Sequence, residues 1–180
     1  MDWIFELADG HRVFMRAREN GSEGRIHVAL KLLGLLLLSD TEPEMEPRKG
    51  TYHRKYKPDV ISGDGKMWCE AGKVARQKLI EVASLKTVES LLVMKAGFNA
   101  ARDLAKRFPT DTGTDVMFYG WDMDAVNQVA DVVSGHCDVN MYRIAGDDGP
   151  GYARYKVIID GVTVILMCHK FHPGCDDDAR

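Results

Sequence analysis

Two acids and a set of nearby cations stand out in the segment KPDVISGDGKMWCEAGKVARQKL, residues 57–79. Asp59 follows a proline, Glu70 sits in a short apolar run, and SGDG between them has the composition of a tight turn. If the segment folds as a hairpin with an even number of loop residues, strand alternation places Lys57, Asp59, Lys66, Trp68 and Glu70 on one face. Val60, Met67, Cys69 and Ala71 then point to the other face, which suits a core. Paired in this way, the two carboxylates are cross-strand neighbours roughly 5 to 7 Å apart at the β-carbons, and can share one divalent cation.

Magnesium is the natural ion for such a pair, with manganese as its substitute, because it accepts a few carboxylate oxygens and keeps several waters. A metal-bound water, made more acidic by the ion, attacks a phosphodiester, and a neighbouring lysine stabilises the charge that develops on the phosphate. The position two after Glu70 is Gly72, which has no side chain to offer. Lys78 lies four residues from both Val74 and Val82, on or beside the apolar stripe of the next helix, and is the expected substitute. Lys66 and Lys73 are rivals. Paired acids and lysines on a half-exposed sheet face also occur simply because they are soluble there.

The elements that position these residues follow from periodicity. WIFELADGHRVFMRA reads as two strands turning at Asp9-Gly10. Ser22 is placed to cap a helix whose first turn holds Glu23, and EGRIHVALKLLGLLLLS is apolar nearly all round, as a helix buried between layers must be. Residues 39–56 show no period and change from DTEPEMEP to RKGTYHRKYK, predicting a long loop. Its basic half carries Arg48, Lys49, Arg54, Lys55 and Lys57 interleaved with Tyr52 and Tyr56, a set that can grip phosphates and stack a base, or simply face solvent.

Beyond the hairpin, a helix is expected over residues 74–86. It is followed by the strand SLLVMKA, the helix NAARDLAKRF, the strand TDVMFYGW, the helix DMDAVNQVADVVS and three final strands, the last two joined at Asp160-Gly161. Antiparallel strands at both ends with β-α-β-α between them imply one α/β domain over residues 1–180, a mixed sheet with helices on its faces. A charge of -3 excludes a uniformly basic nucleic-acid coat, so any such surface is local. The N-terminus has neither the cationic start nor the apolar core of a signal peptide, and Leu32–Leu38 is too short to cross a bilayer. The expectation is a cytoplasmic protein with free thiols and no membrane partner. CHKFHPGC gathers Cys168, His169, His172 and Cys175, donors that zinc accepts, but in no standard zinc spacing; it reads better as a strand end.

The same residues carry a family likeness. KPDVISGDGKMWCEAGK resembles the variable PD-(D/E)XK pattern of the restriction-endonuclease-like superfamily, and more closely the bacterial YaeQ family. In that family an aspartate precedes an apolar strand ending ELG and then a basic helix. SEGRIHVALKLLG is similar to its first helix, and VMFYGWDMDAVNQVADVV to its late strand, Asp turn and helix, so most of the chain is covered in order. The resemblance implies a restriction-endonuclease-like mixed sheet and a Mg-dependent nuclease acting on DNA or RNA. It also implies that Glu23 is the first-helix acid, that Asp59 and Glu70 are metal ligands, and that Lys78 is the cation moved onto the following helix. The family's second acid in the first helix corresponds to Ile26, the next position to His27, and its usual lysine to Gly72. A catalytically inactive member that binds nucleic acid or a protein through the RKGTYHRKYK loop is the alternative.

Overall fold

Helix α1 (Arg25–Leu37) buries every residue from Val28 to Leu36, so protein must surround it on all sides. The sheet supplies that enclosure. In the computed structural model, which describes residues 3–15, 24–47, 55–145 and 151–175, one ten-stranded sheet has the order β2-β1-β8-β9-β10-β7-β6-β5-β4-β3. The strands are β1 (Trp3–Leu7), β2 (Arg12–Met15), β3 (Glu44–Met45), β4 (Val60–Ile61), β5 (Met67–Ala71), β6 (Ser90–Ala96), β7 (Asp115–Trp121), β8 (His136–Arg143), β9 (Tyr152–Ile159) and β10 (Val162–Phe171). Strand β2 at one edge touches β3 at the other, so the sheet nearly closes on itself. Closure explains why α1 lacks a polar face: its inner cluster includes Phe5, Met15, Val60, Cys69, Trp121 and Leu166 from strands around the whole sheet.

Three further helices complete the layers: α2 (Arg76–Ala83), α3 (Phe98–Lys106) and α4 (Met123–Val132). Helix α4 joins the inner cluster through Ala125, Val126, Val129 and Ala130. It begins where the Asp122 side chain accepts from the Ala125 N–H at 2.9 Å, a side-chain N-cap. Helices α2 and α3 cover the outer face of β5, β6 and β7, where Trp68, Leu79, Val82, Val93, Ala101 and Phe118 form a second core. Each fully buried Leu or Val there contributes about 1.5–3 kcal/mol. No helix among the described residues is long and apolar enough to cross a membrane.

The mixed sheet and its terminal hairpins match the sequence expectation, with three differences. The last three strands are not an end of the sheet: β8 pairs parallel with β1 and β10 pairs antiparallel with β7, so the C-terminal meander fills the middle. The loop over 39–56 contains a 3-10 turn (Ser39–Thr41) and the edge strand β3. Helix α2 is shorter than 74–86, starting after Ala75 without a side-chain cap and ending at Ser84. The predicted cap Ser22 lies outside the described residues, and Gly24 occupies the N-cap of α1.

Candidate carboxylate and lysine site

The SGDG turn fixes the hairpin. Asp64 Oδ1 accepts from Ser62 Oγ at 2.6 Å and from the Lys66 N–H at 3.0 Å, while Ser62 Oγ accepts from the Met67 N–H at 2.9 Å. The resulting register pairs Val60 with Cys69 and Ile61 with Trp68; continued one step, it sets Asp59 opposite Glu70. Alternation therefore runs as the sequence suggested, with Val60, Cys69 and Ala71 in the inner core. The other face is not half-exposed, however: Ile61 and Trp68 belong to the outer core, and Glu70 is 1% exposed beneath α2.

Asp59 sits at the mouth of the hairpin, where its carboxylate turns back over the end of β5. Its Oδ2 accepts from the Ala71 N–H at 2.8 Å and lies 3.6 Å from His27 Nε2, and its Oδ1 is 3.3 Å from Lys31 Nζ. Burial opposes its charge, but the His27 ring, the Lys31 ammonium and the Ala71 N–H outweigh that cost and hold its pKa at about 2. Lys31 is fully buried on α1 and also donates to Glu46, whose other oxygen takes Lys57 Nζ at 2.5 Å. Burial likewise raises the Glu46 pKa, and the two lysines more than offset it, so its net shift is downward. Glu46 itself holds a left-handed φ of 51°, an uncommon conformation for a side chain of its size.

Glu70 is the opposite case. Burial raises its pKa most, the Asp59 charge adds to that, and Lys78 and Lys31 pull back only part of the shift, leaving it at about 7. Lys78 Nζ on α2 donates to Glu70 Oε2 at 2.6 Å and to the Lys57 carbonyl at 3.4 Å. Glu70 Oε1 is buried without a hydrogen-bond partner among the described residues. An orphaned carboxylate oxygen in a core is costly and calls for an explanation in ligand or chemistry. The acids thus have separated proton affinities, a pattern that marks acid–base and metal sites. Their partners come from helices on opposite faces of the sheet, α1 for Asp59 and α2 for Glu70.

Lys95, on β6, completes the arrangement and was not anticipated from the sequence. Parallel pairing sets Glu70 beside Val93, so Lys95, two residues on, shares Glu70's face. Its ammonium donates to the Gly72 carbonyl at 2.5 Å, and burial lowers its pKa while the Glu70 charge works the other way. Gly72 has φ +69°, a conformation that disfavours lysine at that position whatever the space around it. His27, Lys31 and Glu46 were also unanticipated as site residues. They come from α1 and from the loop preceding β4, and only the tertiary fold brings them to Asp59.

Of the other sequence candidates, Glu23, Arg48, Lys49 and Arg54 lie outside the described residues. Lys55 pairs with Glu81 at 2.6 Å and lies over the Tyr56 ring, and Lys57 pairs with Glu46, so both cations already have acidic partners. The CHKFHPGC donors diverge: Cys168 is fully buried in the inner core, where burial pushes its thiol well up, while Cys175 packs against the outer core. Among the described residues, the only three metal-type donors gathered within 4.8 Å of one another are Glu6, His136 and Asp138. Cys168 and His169 are successive in β10 and so point to opposite faces, and the segment's donors form no group of three within 4.8 Å among the described residues, which gives the zinc reading no support.

No family model matches the sequence, and no curated protein is a significant match. Solved structures do match the fold. The YaeQ protein from Xanthomonas axonopodis pv. citri superposes with a TM-score of 0.65 at 16% identity, covering 96% of this chain and 97% of that one. The YaeQ protein from Pseudomonas syringae gives a TM-score of 0.62 at 14% identity, covering 94% and 93% respectively.

Proposed function

We propose that this chain is a YaeQ-type protein of the PD-(D/E)XK class, and that the cluster around Glu70 hydrolyses phosphodiester bonds in DNA or RNA with magnesium. The observation that carries the reading is the buried Oε1 of Glu70, which has no hydrogen-bond partner among the described residues while Lys78 holds Oε2 and Lys95 feels the same charge. Hard carboxylate oxygens suit magnesium, and Asp59 and Glu70 are the residues that would hold it. When bound, such an ion supplies an acidified water and neutralises charge on the phosphoryl group. Asp59 is ionised at any physiological pH, and Glu70 loses its proton as a cation binds. Metal affinity is therefore expected to rise between about pH 6 and pH 8. Lys78, which bonds Glu70 Oε2, is the residue that would stabilise the charge developing on the phosphate oxygens.

A direct test is titration with manganese followed by incubation with labelled oligonucleotides. Wild-type protein is expected to bind the metal and cleave; Glu70→Ala is expected to lose at least about a hundredfold in metal-dependent cleavage, the scale of one transition-state electrostatic contact. Undiminished cleavage by that variant refutes the proposal. A binding-only role is the second reading, favoured because Ala71, His27 and Lys31 already surround both oxygens of Asp59. It predicts salt-sensitive oligonucleotide binding, unaffected by chelators and retained in Glu70→Ala.

A further inference from the structure

Adjacent parallel strands bring their carboxyl ends to one edge, where side chains from neighbouring strands gather. Here β5, β6 and β7 run parallel, and their ends bring Glu70, Gly72 and Lys95 together under α2. Lys95 is more than half buried, and the one side-chain bond described for it is to the Gly72 carbonyl. A carbonyl is a neutral acceptor, and an ammonium has three donors, so two N–H groups remain to be matched in a poorly solvated place. Lys78 likewise donates once to Glu70 Oε2 and once to the Lys57 carbonyl, which leaves its third N–H. Lys78 thus bonds one oxygen of Glu70, and the Lys95 ammonium, held at the Gly72 carbonyl, lies close enough to feel the charge of the same carboxyl group. Across the whole cluster Lys31, Lys57, Lys78 and Lys95 face Glu46, Asp59 and Glu70, an excess of one cation although the chain's charge is -3, which favours an anion there.

We infer that Lys95 is a substrate-anchoring residue that, together with Lys78, grips a phosphate group of a nucleic-acid strand beside Glu70. This deepens the phosphodiesterase reading and rests on it for the substrate class only, since anchoring a phosphate requires no turnover. Strand β6 provides a better platform than a loop: Lys95 projects from the carboxyl end of the central strand of a three-strand parallel ladder, and the Gly72 carbonyl fixes the direction of its ammonium. A lysine two residues after Glu70 would need the left-handed backbone of Gly72. The neighbouring strand delivers a cation to the same edge without that strain.

The experiment measures binding of a fluorescent single-stranded oligonucleotide by the full chain in chelator, over a series of salt concentrations. Wild type, Lys95→Met and Lys95→Arg are compared, with thermal melts to confirm that each is folded. Lys95→Met is expected to bind roughly tenfold more weakly and to lower the slope of log K against log salt by about one, as one lost phosphate contact requires. Lys95→Arg is expected to restore the slope. Unchanged affinity and slope in Lys95→Met overturn the assignment, as does a wild-type protein that binds no oligonucleotide. A wild type that binds without cleaving removes the hydrolytic reading alone and leaves Lys95 supported by its slope.

Discussion

Glu70 makes the protein's stability depend on pH in an unusual direction. Its pKa of about 7 in the fold lies above the ordinary 4.5, so between those values the native state holds a proton that the unfolded chain has released. Stability then falls as pH rises through that window, by about 3 kcal/mol if the whole shift is expressed. Asp59 has the opposite sign: its depressed pKa adds stability above its ordinary 3.8 that is lost as pH falls toward about 2. Urea denaturation from about pH 4.5 to pH 7.5 separates the effects, because Asp59 stays charged throughout. Wild-type protein should lose stability across that range, and Glu70→Gln, which cannot ionise, should be nearly flat over it. Parallel curves for the two proteins would mean that Glu70 titrates normally and that its burial is relieved by solvent.

The seat of α1 on β5 is the element on which the Asp59 side of the site depends, since α1 carries His27 and Lys31. A Cβ on Gly34 would lie 2.4 Å from Cys69 Sγ, and Cys69 is fully buried. Gly34→Ala gains helix propensity of about 1 kcal/mol but forces α1 away from the sheet, and overpacking of a closed core costs about 1–3 kcal/mol. A net loss of stability is expected, with Cys69→Ala in the same chain recovering part of it; strictly additive effects in the double-mutant cycle would disprove the contact. Why α1 was recognisable while its partners were not is a matter of range. Nine consecutive buried residues leave an apolar signature in a single segment, and the β4–β5 hairpin is written in the local chemistry of Ser62 and Asp64. Lys95 approaches Glu70 only because β5 and β6 pair in parallel at one particular register, with a helix between them in sequence. Lys31, lying within an apolar run, gave no sign that Glu46 and Asp59 would neutralise it. Likewise, no local signal tells β8 to pair with β1 rather than extend an edge.

Across the whole molecule, one sheet carries two cores, and the strands between them tie the cores' fates together. In β5, Trp68 faces the outer core while Cys69 and Ala71 face the inner; in β6, Leu91 and Val93 alternate with Leu92 and Met94; in β7, Val116 and Phe118 precede Trp121. Loss of either core would leave one face of these strands exposed, and the helix ladder on the other face has no sheet of its own to retreat to. Unfolding should therefore be a single cooperative step in spite of the two separate clusters. The tryptophans allow this to be tested, because Trp68 and Trp121 are almost fully buried in different cores. In a Trp3→Phe background, which removes the third tryptophan at the rim of the inner core, Trp68→Phe leaves Trp121 as the reporter of the inner core, and Trp121→Phe leaves Trp68 as that of the outer core. In each variant, fluorescence and far-ultraviolet circular dichroism should share one midpoint in denaturant, with a common slope. A fluorescence transition that precedes the dichroism change in one variant only would show that its core melts first. The site, which draws Asp59's partners from the inner side and Glu70's from the outer, would then come apart before the fold does.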